Sequence, residues 1–311
     1  MSAGGSSGAR GALLSALAHN RKAMVGASIA LGFVLFALIG PAIVPHDPNA
    51  FIAAPHQPPS AEHWFGTTGQ GQDVFSQTIA GARVSLIVGF TVGLAVMAIG
   101  ALVGIAAGFF GGWVDDVLSL VTNVFLIMPG LPLAVVIAAY LPAGPVTIGM
   151  VLIITGWAWN ARVLRAQTLS LREKDVVAAA IVSGEGSLRI MFREILPNMT
   201  SLLVSGFIGA TVYAIGAQVG LEFLGLGDVS VVTWGTNLYW AANNAALLTG
   251  AWWTVVPTGV VIALVGFALV MINFAIDEIT NPRLKAEGSW LRAMKKLGLR
   301  PGSATPVVKH V

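Results

Sequence analysis

Long runs without a charged residue alternate with short polar stretches along this chain, and the runs have the length of membrane spans. About 20 apolar residues carry a helix across a hydrocarbon layer of roughly 30 Å. Ala23 to Val44, Val84 to Phe110, Met199 to Leu221 and Trp252 to Ile276 each meet that length without a charge. Val117 to Ala161 is also uncharged but about twice one crossing, so it must fold back. The reversal is readable at "LPAGP", Leu141 to Pro145, where two prolines and a glycine break a helix and favour a turn. The pattern predicts an all-α protein of six transmembrane helices.

Composition agrees with that pattern. Of the 311 residues 56% are hydrophobic and 10% charged, and the mean hydropathy is +0.80. So much apolar surface leaves too little polar exterior for a water-soluble fold. Cysteine is absent, which excludes a disulfide framework and thiolate metal sites. The net charge is +3, but in a membrane protein the placement of the cations matters more than their sum. Arg10, Arg21 and Lys22 precede the first span; Arg162, Arg165, Arg172, Lys174, Arg189 and Arg193 lie between the fourth and fifth; Arg283 to Lys309 follow the sixth; Arg83 alone falls elsewhere. The positive-inside rule puts those three regions, and both termini, in the cytoplasm. The expected organisation is a disordered N-terminus over 1–20, a first transmembrane helix over 21–45, an outer loop over 46–83, a five-helix core over 84–285 and a cytoplasmic tail over 286–311. The first span is too long for a signal-peptide core and is read as a retained anchor.

Inside the spans, Gly89, Gly93, Gly100, Gly104 and Gly108 repeat at small-xxx-small spacing, a signal for close helix packing. Pro129 and Pro132 in "MPGLP" should kink or unwind the third span, and such breaks are tolerated where protein or a water-filled path satisfies the freed carbonyls. They are candidate path residues, beside the plain reading that prolines are simply frequent in membrane helices. Glu222, at the outer end of the fifth span, is a third candidate, because ionisable groups near a bilayer are costly; the alternative is a carboxylate reaching interfacial water. Asp115 and Asp116 read as markers of a short inner turn, and Trp240, Trp252 and Trp253 as an aromatic belt.

One polar segment interrupts the hydrocarbon: "AAAIVSGEGSLRIMFREILPN", Ala178 to Asn198, within a cytoplasmic stretch of about 162–198. Its composition implies two short helices, one up to Ser183 and one from about Leu188. Gly184 suits a left-handed helix end, Ser187 a cap, and Pro197 a kink at the start of the fifth span. Ala178, Ala179 and Ala180 make one surface nearly flat, so that another protein can dock closely; an ordinary solvated loop is the alternative.

The alanines, a glycine after three intervening residues and "ILPN" ten residues later resemble the EAA loop of ABC-type import permeases. "HWFGTTGQGQDVFSQTIAGARVSLIVG", His63 to Gly89, is similar to the H-x-L-G-T-D-x-x-G-R-D-V-x-S-R-x-x-x-G-A-R-x-S-L signature of the C-type subunit in the peptide/nickel branch of that family. "GLEFLGLGD", "WGTNLYW" and "NPRLK" resemble its later blocks, so the resemblance covers Arg21 to Lys285. It implies the type I ABC importer fold in a prokaryotic cell membrane. Ala178, Ala179, Ala180, Ser183, Gly184, Glu185 and Gly186 would then form the coupling helix that sits in a groove of an ATPase. The implied partners are a second homologous permease, two ATP-binding subunits carrying ATP and Mg, an extracytoplasmic solute-binding protein and membrane lipid, with no nucleic acid. The sequence departs from the family at Ala178, usually glutamate, at Ile181, often arginine, and at Thr68 and Gln72, usually aspartate and arginine. Glu222 and the stretch Leu238 to Trp253 look more like members that import oligosaccharides than like peptide permeases.

No GxxxxGK[ST] cradle occurs, so ATP binding of the P-loop kind is not expected in this chain, and neither is any other cofactor. His19, His46, His56, His63 and His310 lie outside the spans without metal-ligand spacing and read as surface imidazoles, so no metal site is expected. Two rival classes remain. A secondary transporter or channel calls for ionisable groups at mid-membrane, which the spans lack. A membrane enzyme calls for clustered nucleophile, base or metal ligands, which the sequence does not show.

Overall fold

The computed structural model describes residues 20–280. The expected disordered segment before residue 20, the tail, the block Asn281 to Lys285, and His19 and His310 lie outside the described residues. The chain there is α-helical, and among the described residues the one β feature is an isolated bridge between Thr67 and Asp73. In order, the α-helices are α1 (Arg21–Ile43), α2 (Val74–Phe110), α3 (Gly112–Ile127), α4 (Gly130–Ala139), α5 (Pro145–Gly156), α6 (Ala158–Arg172), α7 (Asp175–Val182), α8 (Ser187–Ile190), α9 (Thr200–Phe223), α10 (Trp234–Asn243) and α11 (Val256–Thr280). Among the described residues five helical stretches are long and apolar enough to cross a membrane, six when α3 and α4, bent by 83°, count as one. That matches the six expected spans.

Helix α2 is the mast of the bundle, packing on α6 and α9 and also on α1, α5 and α3. It begins ten residues before the expected span, at Val74. Asp73 caps it by accepting from the Ser76 amide at 2.8 Å, which satisfies an orphan donor of the first turn. Hydropathy hides this start because Ser76, Gln77 and Thr78, although buried, are polar. The outer loop therefore ends at Asp73, and Arg83 is an exposed residue within a helix.

The glycine row sets how close the helices come. A Cβ on Gly89 would meet Ile215 and one on Gly93 would meet Thr211, both in α9, whereas Gly100, Gly104 and Gly108 face Asn160, Ala161 and Thr168 of α6. Gly104 lies against the carbonyl oxygen of Ala161, so any side chain there would collide with backbone. One helix thus carries two seams, one for each neighbour. Outward-facing apolar residues such as Leu31, Leu38, Ile87, Leu94, Leu102 and Phe267 remain exposed, as a surface solvated by acyl chains requires.

At the end of the bundle opposite the Arg-rich segment, α10 lies across α2 and α9. Trp234 is fully buried there and donates from Nε1 to the Thr78 carbonyl at 3.0 Å. A reciprocal capping box between Thr233 and Thr236 starts the helix. The 44–73 loop is held to this end by the Trp253 indole, which donates to the Thr67 carbonyl at 3.2 Å. Trp253 is therefore a loop buttress rather than part of a belt, and Trp240 likewise donates to the Val229 carbonyl at 3.0 Å. Trp252 remains exposed.

Candidate functional site

The segment between α6 and α9 forms a compact two-helix knob. Asp175 lies in the first turn of α7, where a carboxylate complements the helix dipole. After Ser183 the chain turns at Gly184 with φ +75°. The Gly184 amide donates to the Ile181 carbonyl at 3.0 Å and the Glu185 amide to the Ala180 carbonyl at 3.1 Å. These two bonds are the Schellman closure, which needs a residue tolerant of left-handed backbone at its centre. Space around Gly184 is open, so the requirement there is conformational. Gly186, not Ser187, is the N-cap of α8, a shift of one residue.

Beyond α8 the helix does not run straight into α9. Met191–Ile195 is π-helical and Leu196–Met199 is 3-10, because Pro197 has no amide hydrogen to continue the ladder. The side chain of Asn198 donates to the Glu194 carbonyl at 2.6 Å. The "ILPN" block thus supplies a buried anchor at Ile195, a break at Pro197 and a side-chain brace at Asn198.

The knob has two faces. Val177, Ile190, Ile195 and Met199 are buried and pack with Ile105 and Phe109 of α2 and Leu164 and Leu171 of α6. On the other side Val176, Ala178, Ala179, Ile181, Val182, Leu188 and Phe192 are exposed, Val182 at 88%. Of the expected contact residues, Ala178, Ala179, Ser183, Gly184 and Gly186 are exposed, while Ala180 and Glu185 are half-buried. Glu185 pairs with Arg189 at 3.4 Å within the knob. Sequence patterning missed the apolar character of this outer face, although Val182, Leu188 and Phe192 were there to be read.

A second feature is a cavity of about 620 Å³ among α2, α3, α6 and α9, lined by residues including Met128, Gly130, Asn160, Ser205 and Tyr213. It opens where the helices break. Met128 and Gly130 flank Pro129, the N-cap of α4 at the 83° bend, and Pro132 lies in the first turn of that helix. The α5–α6 junction at Gly156 and Ala158 borders it too.

Glu222 is placed otherwise than expected. It is 1% exposed and does not line this cavity. Its carboxylate accepts from Thr233 Oγ1 at 2.5 Å and from Gln218 Nε2 at 2.9 Å. Gly227 and Gly235 pack directly on it. Glu222 is thus a fastener between α9 and the start of α10. Asp115 is likewise more than a turn marker, since it pairs with Arg165 of α6. The histidines also depart from expectation: His63 is buried against Asp73, and His46 stacks on it.

Residues 100–286 match a family model described as binding-protein-dependent transport system inner membrane component. Residues 13–59 match the N-terminal TM domain of oligopeptide transport permease C. The chain is 32% identical to the dipeptide transport system permease protein of Bacillus subtilis, over 86% of this chain and 84% of that one. It is 34% identical to a putative peptide transport system permease protein of Brucella suis, over 88% and 91% respectively. With the oligopeptide transport system permease protein of Bacillus subtilis it shares 30% identity over 86% and 87%.

Proposed function

Because the chain belongs to the family of binding-protein-dependent transport system inner membrane components, we propose that it is the permease subunit of an ATP-driven peptide importer and receives mechanical work through the knob 175–199. The observation that carries this reading is the knob's division into an anchored face and a bare apolar one. Apolar side chains such as Val182, Leu188 and Phe192, grouped on a water-facing loop, call for a partner to cover them. In this reading an ATP-binding subunit covers them, with Ala178 and Ala179 letting it approach closely. The glutamate and arginine usual at positions 178 and 181 are replaced by alanine and isoleucine, so this contact depends on shape and apolar burial more than on charge.

Force on the knob has a short route into the bundle. Val177, Ile190 and Ile195 bind it to the ends of α2 and α6, and the glycine seam makes those two helices move as one body. The Asp115–Arg165 pair carries α3 along. The walls of the cavity at Asn160 and Gly130 therefore shift when the knob does, which suits a path that opens alternately to each side through a bistable helix packing. With the Arg-rich segment in the cytoplasm, the chain supplies half of that path in the cell membrane and both termini face inside. A second homologous permease supplies the other half, two ATP-binding subunits hold ATP and Mg, and a solute-binding protein docks outside over the 44–73 loop and α10.

Peptide is preferred to oligosaccharide as cargo because the similar proteins are described as dipeptide, oligopeptide or peptide permeases. Glu222, which had suggested sugars, is enclosed by its own hydrogen bonds. Reconstitution of the complex in proteoliposomes tests the proposal. ATP-dependent uptake of labelled short peptides presented by the binding protein is expected; uptake without ATP, or of oligosaccharides alone, overturns it.

A further inference from the structure

His46, His63 and Asp73 come from three separate parts of the chain, and the structure gathers them at one point. His46 follows α1, His63 lies in the middle of the 44–73 loop, and Asp73 caps α2. Each offers one ligand atom, and these atoms lie within 4.8 Å of one another. The two imidazole rings are 5.1 Å apart and tilted by 42°. Asp73 is 1% and His63 4% exposed.

Part of the cluster has a plain structural role. Asp73 Oδ2 accepts from the Ser76 amide at 2.8 Å and the Ser76 hydroxyl at 2.7 Å. Its Oδ1 accepts from His63 Nδ1 at 3.0 Å. A helix cap braced by a histidine accounts for those bonds. It does not account for His46, whose Nδ1 is buried with no hydrogen-bond partner. Such a nitrogen is costly, and buried polar groups are almost always satisfied. The separation of His63 Nδ1 from Asp73 Oδ1, 3.0 Å, is close to that between two donors on one zinc ion with bonds of about 2.0–2.2 Å, so an ion can take the place of the proton they share.

We infer that His46, His63 and Asp73 form a binding site for one divalent transition-metal ion of the zinc type. Two imidazole nitrogens and a carboxylate suit zinc and its first-row neighbours and are a poor set for calcium or magnesium, which take oxygen ligands. Zinc bonds of about 2.0–2.2 Å to such donors require the three side chains to draw in slightly, and water completes the shell. The ion would stitch the end of α1 to the start of α2 across the loop. The inference is independent of the coupling role of the knob, which lies at the opposite end of the bundle.

The test uses the full-length protein with a tag that contains no histidine, stripped with a chelator and dialysed against micromolar zinc. Elemental analysis should return one zinc per chain, and cobalt in its place should give the visible absorption of a low-symmetry nitrogen/oxygen site without thiolate bands. His46→Ala leaves the cap and its brace intact, so its metal-free melting temperature should equal that of the parent, while zinc affinity falls at least about tenfold and the zinc-induced rise in melting temperature disappears. His63→Gln should also lose zinc. His19, His56 and His310 remain in both variants, so adventitious binding there cancels. No zinc at micromolar concentration, or equal zinc in the parent and His46→Ala, overturns the inference.

Discussion

Arg165 of α6 reaches Asp115 of α3 with two parallel hydrogen bonds, the one from Nη2 to Oδ2 measuring 2.6 Å. The pair lies at the Arg-rich end of the bundle, one helix away from the knob. It joins the helix that leads into the knob to the helix that leads to the 83° bend. Ser119 Oγ adds a third hydrogen bond to the same carboxylate at 2.8 Å. The geometry is bidentate, but the arginine side chain is 35% exposed, so solvent screening keeps its contribution modest.

A double-mutant cycle with Asp115→Asn and Arg165→Gln should give a coupling energy of about 1 kcal/mol or less, falling as salt is raised. Thermal melts of the purified protein read the stability, and a coupling several times larger would contradict the assignment of a screened pair.

Thr68 and Gln72 stand where the resembled signature carries aspartate and arginine. The structure keeps them together without charge: the Gln72 amide donates to Thr68 Oγ1 at 3.1 Å and Gln77 Nε2 to Gln72 Oε1 at 2.8 Å. Both are buried. Thr68→Asp alone places an unpaired carboxylate there and should destabilise by about 3 kcal/mol or more. Adding Gln72→Arg should recover much of that loss; melting temperatures of the two variants decide it.

Glu222→Ala strips Thr233 and Gln218 of their acceptor and should cost about 1–3 kcal/mol. Transport per folded complex should not change, because the carboxylate is engaged by Gln218 and Thr233 and does not line the cavity. A normal melting temperature with lost transport would return Glu222 to the list of substrate-contacting residues.

Gly184→Ala forces a side chain into left-handed backbone in otherwise open space, at a cost of about 1–2 kcal/mol. The Schellman closure loosens and the exposed face tilts. The expected result is an ATPase activity less well coupled to uptake while the bundle's melting temperature barely moves, read by assaying hydrolysis and transport in the same vesicles.

Much of this molecule could be read from hydropathy and helix punctuation. The spans follow from runs such as Met199 to Leu221, the reversal from Leu141 to Pro145, and the knob's turn from Gly184, because each depends on local physics. What could not be read depends on partners distant in sequence. The early start of α2 was hidden by buried polar residues whose partners lie elsewhere, such as Gln77, which donates to the Pro48 carbonyl at 3.1 Å. Glu222 looked functional because a lone carboxylate near a membrane usually is, and only the fold brings Thr233 to it. His46 and His63 looked like surface imidazoles because no fixed spacing unites ligands drawn from the start and the middle of one loop and from a helix cap. The glycine row was legible as a packing signal, whereas its division between α9 and α6 was not, since both neighbours impose the same spacing.

The central claim is that the knob's bare face receives an ATP-hydrolysing partner. The chain has no cysteine, but a photoreactive amino acid needs none. Placed at Val182, 88% exposed on the knob, in the assembled complex, it should form an adduct with the ATP-binding subunit on illumination. Placed at Leu248, 91% exposed at the opposite end, it should not. No adduct from position 182, or an ATPase adduct from position 248 instead, would contradict the account.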